Sequence, residues 1–336
     1  MVARMIVNDK LPHSSKIPLT GGLPTGTDKD FTFAIIGDRT GIATPGVFEK
    51  AMDVLQALRP DFVVSVGDLI EGCCENAEEA HEEWDEVDAL VERLSLPLYQ
   101  TVGNHDYGGF ELMRDVWRER KGCEYYAFRY HDSLFLVVNT EASDTFPAED
   151  YGDWRRFVRS IRLEPERFEE LTRHFMEQWL KLEHISDWPY RETAGAPDID
   201  DEQIEFFREV LEQNEDVRWS YVFMHQPGWK TNVPSYVRLM SLLQGRKYTA
   251  VAGHLHYMEV MEIEGIQHIQ MGSTGAHNPH AERQYAAKPS TEEGNFEGKG
   301  SPFSIVWVSV KDGTPIFTVI PLQGIEGVEG FKRRTD

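Results

Sequence analysis

The chain of 336 residues carries 34 Lys and Arg against 57 Asp and Glu, a formal charge of −23. With 40% hydrophobic and 11% aromatic residues it can bury a substantial core, which excludes wholesale disorder. So large a surplus of acid repels phosphate backbones and argues against nucleic-acid binding through a basic patch; it still admits a small phosphorylated substrate if cations sit locally in the site.

The longest apolar runs, such as 62–66 and 134–138, are strand-sized and far short of the ~20 residues a membrane helix needs. The first residues lack the apolar block of a secretory signal. Cys73, Cys74 and Cys123 are too few and too unevenly spaced for a disulfide framework. A reduced, cytoplasmic protein without membrane contact is the expectation.

Strand-length runs rich in Val, Ile, Phe or Tyr recur at 31–36, 62–66, 98–102, 134–138, 221–224, 249–252, 266–271, 303–310 and 316–320. Between the first two, Val47, Ala51, Val54, Leu55 and Leu58 share one helical face, and Pro60 marks the stop. Strand, helix and strand in close succession form a βαβ unit with parallel pairing. The acid-rich residues 75–93 read as a helix with a solvated face. Residues 200–213 read as another, with Ile204, Phe207, Val210 and Leu211 inward.

The stretch 141–200 breaks the strand rhythm. It is rich in Trp, Arg and Glu, holds a helical candidate at 165–184, and reads as an insertion expected to cover the site. Residues 278–302 are polar and Gly-rich, as in a long loop. The implied organisation is an N-terminal extension over 1–30, one domain over 31–322 and a C-terminal tail over 323–336.

Polar clusters stand directly after five of these strands: GDRT at 37–40, GDLIE at 67–71, GNHD at 103–106, His225 within FMHQP, and GHLH at 253–256. In an open α/β sheet the crevice forms at the carboxyl ends of strands, so separated clusters can converge there. Aspartate, asparagine and histidine without cysteine make an oxygen–nitrogen set suited to divalent Mn, Fe, Zn or Ni. Asp38, Asp68, Asn104, His225, His254 and His256 are too many donors for one tetrahedral ion with an open position. An aspartate can bridge two cations about 3.5–4 Å apart, the spacing of two-metal hydrolytic sites. Such a pair also supplies the positive charge that the acidic surface lacks.

The ordered set D…GDxx…GNHD…H…GHxH resembles the calcineurin-like metallophosphoesterases over residues 31 to about 275, and the strands at 303–320 fit that family's second sheet. The resemblance implies a four-layer α/β/β/α sandwich with a dinuclear metal centre. On it, Asp38 and His256 hold the first metal, Asp68 bridges, and Asn104, His225 and His254 hold the second. His105 is then the general acid to the leaving oxygen, or a donor to the phosphoryl group, and Asp106 orients it.

One departure matters. The family's first motif is usually D-x-H, and here it is Asp38-Arg39-Thr40. Water, the Thr40 hydroxyl and Glu71 are the candidates for the missing ligand. Glu71 occupies the position at which the purple acid phosphatase branch, which also lacks that His, supplies a tyrosine. The first metal is expected to be the weaker and more exchangeable one.

Arg39 is a candidate cation for a substrate phosphate, with pairing to a carboxylate as the alternative. His277 is a candidate substrate contact, against an ordinary loop residue. Cys73 and Cys74 read as packing thiols. The functional expectation is hydrolysis of a phosphomonoester, on a small molecule or a phosphoprotein, by a metal-activated water with His105 assisting departure. A phosphodiesterase acting on a cyclic nucleotide or lipid-derived diester is the alternative within that class. The alternative from another class is a catalytically idle binding scaffold of the same fold.

Overall fold

In the computed structural model, which describes residues 3–11, 13–108, 111–141, 151–179, 181, 197–277 and 303–322, two mixed sheets face one another. With strands numbered in chain order, the first sheet runs β1 (Ala3–Ile6), β6 (Tyr126–Tyr130), β7 (Ser133–Val137), β8 (Trp219–Met224), β9 (Tyr248–Ala252), β11 (Ile266–Gln270) and β10 (Glu259–Ile263). The second runs β13 (Thr314–Pro321), β12 (Ser304–Lys311), β3 (Phe31–Ile36), β4 (Phe62–Ser65), β5 (Leu98–Gln100) and β2 (Leu19–Thr20). Their centres are parallel: β7, β8, β9 and β11 in one, β3, β4 and β5 in the other. Within the first thirty residues, β1 and β2 extend the two sheets antiparallel to β6 and β5.

The helices are α1 (Val47–Leu58), α2 (Ala77–Leu94), α3 (Asn104–Tyr107), α4 (Glu111–Arg120), α5 (Tyr151–Leu163), α6 (Phe168–Trp179), α7 (Asp201–Glu212) and α8 (Pro234–Ser241). Alternation along the strands decides the layering, because successive side chains leave a sheet on opposite faces. In β3, Phe33 and Ile35 turn toward the other sheet while Ala34 and Ile36 meet the layer of α1, α2 and α4. In β8, Tyr221 and Phe223 turn inward while Val222 and Met224 meet α7 and α8. The result is the four-layer α/β/β/α sandwich.

The middle of the sandwich is a ring stack. Phe33 and Phe62 stack with centroids 5.1 Å apart, Tyr99 and Phe128 at 3.8 Å, and Phe128 and Phe135 at 4.4 Å. Across the sheets Phe62 meets Phe135 edge-on at 5.4 Å. These preferred geometries add about 0.5–1.5 kcal/mol per pair beyond burial. That stack fixes the spacing of the strands whose ends carry the polar clusters.

Helix α7 begins with Asp200 accepting from the Gln203 N–H at 2.7 Å and buries Ile204, Phe207, Val210 and Leu211 as expected. Helix α2 keeps most of its acids outward, Glu83 excepted, and buries Trp84, Val87, Val91 and Leu94. The buried stripe of α1 differs from the expectation: it is Phe48, Ala51, Met52 and Leu55, with Val47 and Val54 half-buried beside it. Leu58 lies in the last turn, at the edge of that interface, and is 42% exposed.

The expected helix at 165–184 is a 3-10 turn at Pro165–Arg167 followed by α6. Helix α5, whose apolar residues stand at helical spacing but which was not among the expected elements, packs against α6 and buries Trp154, Phe157, Val158 and Ile161 with Ile42 and Cys73. The insertion is thereby docked on the loops that follow β3 and β4. The expected loop at 278–302 and the tail at 323–336 lie outside the described residues. All three cysteines are buried and unpaired, and among the described residues no helix is long and apolar enough to cross a membrane.

Phe62→Ala removes a ring that touches both sheets and should cost about 3–5 kcal/mol of stability, measured by denaturant unfolding. A loss below about 1 kcal/mol would show that the ring stack is not what holds the sheets together.

Candidate metal centre

Each polar cluster follows a strand of the parallel centres. Asp38 comes after β3, Asp68 after β4, Asn104 after β5, His225 after β8, and His254 and His256 after β9. The two sheets aim these ends at one place, and the ligand atoms converge. Asp68, His225 and His254 present atoms within 4.8 Å of one another, and so do Asp38, Asp68 and His256. Asp68 belongs to both groups. Asn104 joins the first, its Oδ1 lying 2.9 Å from both His225 Nε2 and His254 Nδ1.

The backbone is bent to achieve this. Asp68 (φ 56°), His254 (φ 73°) and His256 (φ 55°) all occupy the left-handed region. For residues with a Cβ this costs on the order of 1–3 kcal/mol each and persists only where the surroundings enforce it. Around Asp68 the enforcement is visible. Its N–H donates to Asp106 Oδ2 at 2.8 Å, and its C=O accepts from the N–H groups of Arg39 and Thr40 at 3.0 and 3.1 Å. Its Oδ1 accepts the His105 N–H at 2.9 Å, leaving Oδ2 3.1 Å from His225 Nε2. Gly103 must be glycine here, since a Cβ would stand 2.2 Å from Asp68 Oδ1.

The imidazoles are oriented from behind. His225 Nδ1 lies 2.8 Å from the Val66 carbonyl and His256 Nδ1 3.2 Å from the His277 carbonyl. A proton on each Nδ1 is therefore donated to a main-chain oxygen, and each Nε2 is turned toward the carboxylates. Burial opposes charge on His225, yet Asp68 beside it raises its pKa well above the ordinary value. The same oxygens would attract a metal cation. Burial, helped by His225, pushes His254 down to about 3, which keeps it in the neutral form that ligates metal.

The carboxylates call for positive charge. Burial raises the Asp38 pKa despite His256 and His225 nearby, and its Oδ2 is buried with no hydrogen-bond partner among the described residues. An orphaned anionic oxygen out of water is costly unless a cation compensates it. The donor set thus fits a pair of divalent metals: Asp38, Asp68 and His256 for one, Asp68, Asn104, His225 and His254 for the other.

The remaining sequence candidates lie around this centre in different roles. Asp106 does not orient the His105 ring. Its carboxylate accepts from the N–H groups of Asp68, Leu69, Ile70 and Gly103, at 2.8 to 3.2 Å, and so shapes the loop that carries the shared aspartate. The His105 ring instead meets the main-chain oxygen of Glu71, 2.7 Å from Nδ1. The Glu71 carboxylate accepts from the N–H groups of Gly41, Ile42 and Ala43, and the Thr40 hydroxyl donates to the carbonyls of Asp68 and Ile70. Both side chains stabilise the loops and belong to neither donor group.

Arg39 donates to the Leu69 carbonyl at 2.8 Å and lies over the Phe48 ring. It lines a cavity of about 380 Å³ between α1 and α5 whose walls include none of the six donors. His277 supports His256 through its carbonyl, and its ring packs edge-on against Phe168. Sequence reasoning missed the Glu71 carbonyl, since a main-chain oxygen carries no residue-type signal. It also missed Trp154, whose ring centroid lies 5.4 Å from that of His105.

A family model described as calcineurin-like phosphoesterase matches residues 31–258. No curated protein sequence matches the chain. Among solved structures the chain is similar to a dimetal phosphatase from Danio rerio, at 14% identity and a TM-score of 0.57, over 88% of this chain and 97% of that one. It is also similar to GAP50, described as the anchor in the inner membrane complex of Plasmodium, at 14% identity and a TM-score of 0.51, over 89% of this chain and 87% of the other.

Asp68→Asn should reduce the content of both metals in protein purified without chelators, because the shared oxygens serve both groups. Elemental analysis showing selective loss of one ion would remove the bridging role.

Proposed function

Because the chain belongs to the calcineurin-like phosphoesterase family, we infer that it is a metal-dependent phosphoesterase that hydrolyses a small phosphomonoester. The observation that carries this reading is the pair of donor groups sharing Asp68, with His105 beside them. Asp38, Asp68, Asn104, His225, His254 and His256 would hold a dinuclear centre, which would lower the pKa of a water and draw charge from the phosphoryl oxygens.

The chain's own residues supply the rest. Asp68 fixes His105 through its main-chain N–H, and Glu71 fixes the ring through Nδ1. With Nδ1 engaged there, Nε2 is the atom that would give a proton to the departing oxygen. The His105 and His256 rings both border Gly41, where an added Cβ would meet the His256 ring at 2.6 Å and His105 Nε2 at 3.7 Å. Burial disfavours the imidazolium, but Asp68 and Glu71 outweigh it and raise the pKa of His105, so the ring holds its proton to higher pH. An acid so placed is typically worth about 10²–10⁴ in rate.

A monoester suits a chain of charge −23, whose surplus of acid repels a polyanion. A scaffold that had abandoned chemistry would have no use for a leaving-group acid beside an intact donor set.

The test is hydrolysis of p-nitrophenyl phosphate and bis(p-nitrophenyl) phosphate with Mn²⁺ and with chelator. Monoester turnover that chelation abolishes and Mn²⁺ restores supports the reading. Turnover of the diester alone assigns a phosphodiesterase, and none with Mn, Fe, Zn or Ni leaves the scaffold. His105→Ala should lower kcat by at least about 100-fold with metal content near that of the unaltered protein; parallel loss of metal would refute its role.

A further inference from the structure

We propose that helix α5 of the insertion positions His105, with Trp154 and Arg155 clamping the peptide carbonyl that meets the imidazole and the carbonyl that follows it. The proposal rests on the phosphoesterase reading and gives the insertion a role in the chemical step.

The Glu71 carbonyl that receives His105 Nδ1 at 2.7 Å also lies 3.4 Å from the indole Nε1 of Trp154. The next carbonyl, Gly72, accepts from Arg155 at 3.0 Å. Two successive residues of α5 thus hold two successive main-chain oxygens. Arg155 is 1% exposed and bonds Glu83 at 2.7 Å, and Glu83 in turn accepts the Gly72 N–H at 3.0 Å. Both polar ends of residue 72 are therefore tied to one buried ion pair. The tie bears on His105 directly, because residue 72 lies against it: a Cβ on Gly72, at φ 63°, would stand 1.8 Å from the His105 carbonyl oxygen.

Trp154 also walls the imidazole. Its ring packs against His105 on one side and against Phe157, Phe175 and Trp179 on the other, all within the insertion. The clamp keeps the Nδ1 proton on the Glu71 oxygen, so the proton on Nε2 is the one transferred. As an attacking hydroxide oxygen bonds to phosphorus and the bond to the leaving oxygen breaks, the leaving oxygen keeps the bonding electrons and takes that proton, and the ring is left neutral with its Nδ1–H bond intact. Trp154 and Arg155 are positioning residues, since they act through Glu71 and Gly72.

Misplacing an acid matters most when the leaving group is poor. The test compares phenyl phosphate, whose oxygen needs the proton, with p-nitrophenyl phosphate, whose anion departs readily, on metal-loaded Trp154→Phe and Arg155→Lys. Roughly tenfold or greater loss of kcat is expected on phenyl phosphate and less than about threefold on the nitrophenyl ester, with KM and metal content unchanged. In a His105→Ala background the same changes should add nothing. Nitrogen-15 NMR of the zinc-loaded protein, at a pH where the His105 ring is neutral, should show its proton on Nδ1, and a tautomer mixture in Trp154→Phe.

Equal losses on the two esters, additivity with His105→Ala, or an unchanged ring tautomer would overturn the proposal. If Trp154→Phe fails to fold, Arg155→Lys decides by the same ratio. Should the unaltered protein hydrolyse neither ester, the phosphoesterase reading falls and this proposal with it; turnover that depends on His105 but not on the α5 variants removes the proposal alone.

Discussion

The whole centre depends on one carboxylate being shared. Asp38 and Asp68 are both buried, with ligand atoms no more than 4.8 Å apart. At an effective dielectric near 20, two such charges repel by about 3 kcal/mol, and each has also lost its hydration. No fold keeps that arrangement for packing. Cations between the oxygens would turn the repulsion into attraction, and the strained backbone at Asp68, His254 and His256 fits a geometry that would present donors to them.

The sandwich is built to make this convergence rigid. Aromatic rings fill the space between the sheets, so the ends of β3, β4, β5, β8 and β9 cannot shift independently. The loops beyond those ends are then fastened by carboxylates that do not themselves join a donor group. Asp106 collects four main-chain N–H groups around Asp68, and Glu71 collects three around Gly41. Charge-assisted bonds of this kind are stronger than neutral ones, which suits loops that must hold a set geometry. The insertion adds a further brace through Arg155 and Glu83.

Much of this was legible in the sequence, and the pattern of what was missed is instructive. The strands were readable because both faces of each central strand are buried, giving continuous apolar runs bounded by polar clusters. The six donors were readable because metal ligands must be particular residue types, and their order behind strands is a strong coincidence. The support around them was not readable in the same way. Asp106 adjoins His105 in the chain, and the natural reading pairs them; the short helix α3 instead turns the carboxylate back onto the loop after β4. Glu71 and Thr40 carry the right atoms for a metal, yet local main-chain N–H and C=O groups claim them. Such contacts depend on loop conformation, which residue identity does not determine. Helix α5 was legible too: Trp154, Phe157, Val158 and Ile161 stand at helical spacing, and reading 141–200 only as an insertion passed over them.

The central claim is that two cations flank Asp68. The most direct measurement is anomalous diffraction from crystals soaked in manganese. The account predicts two peaks about 3.5–4 Å apart, one beside Asp38 and His256 and the other beside Asn104, His225 and His254, with Asp68 between them. A single peak, or a pair with no oxygen of Asp68 between them, would contradict it.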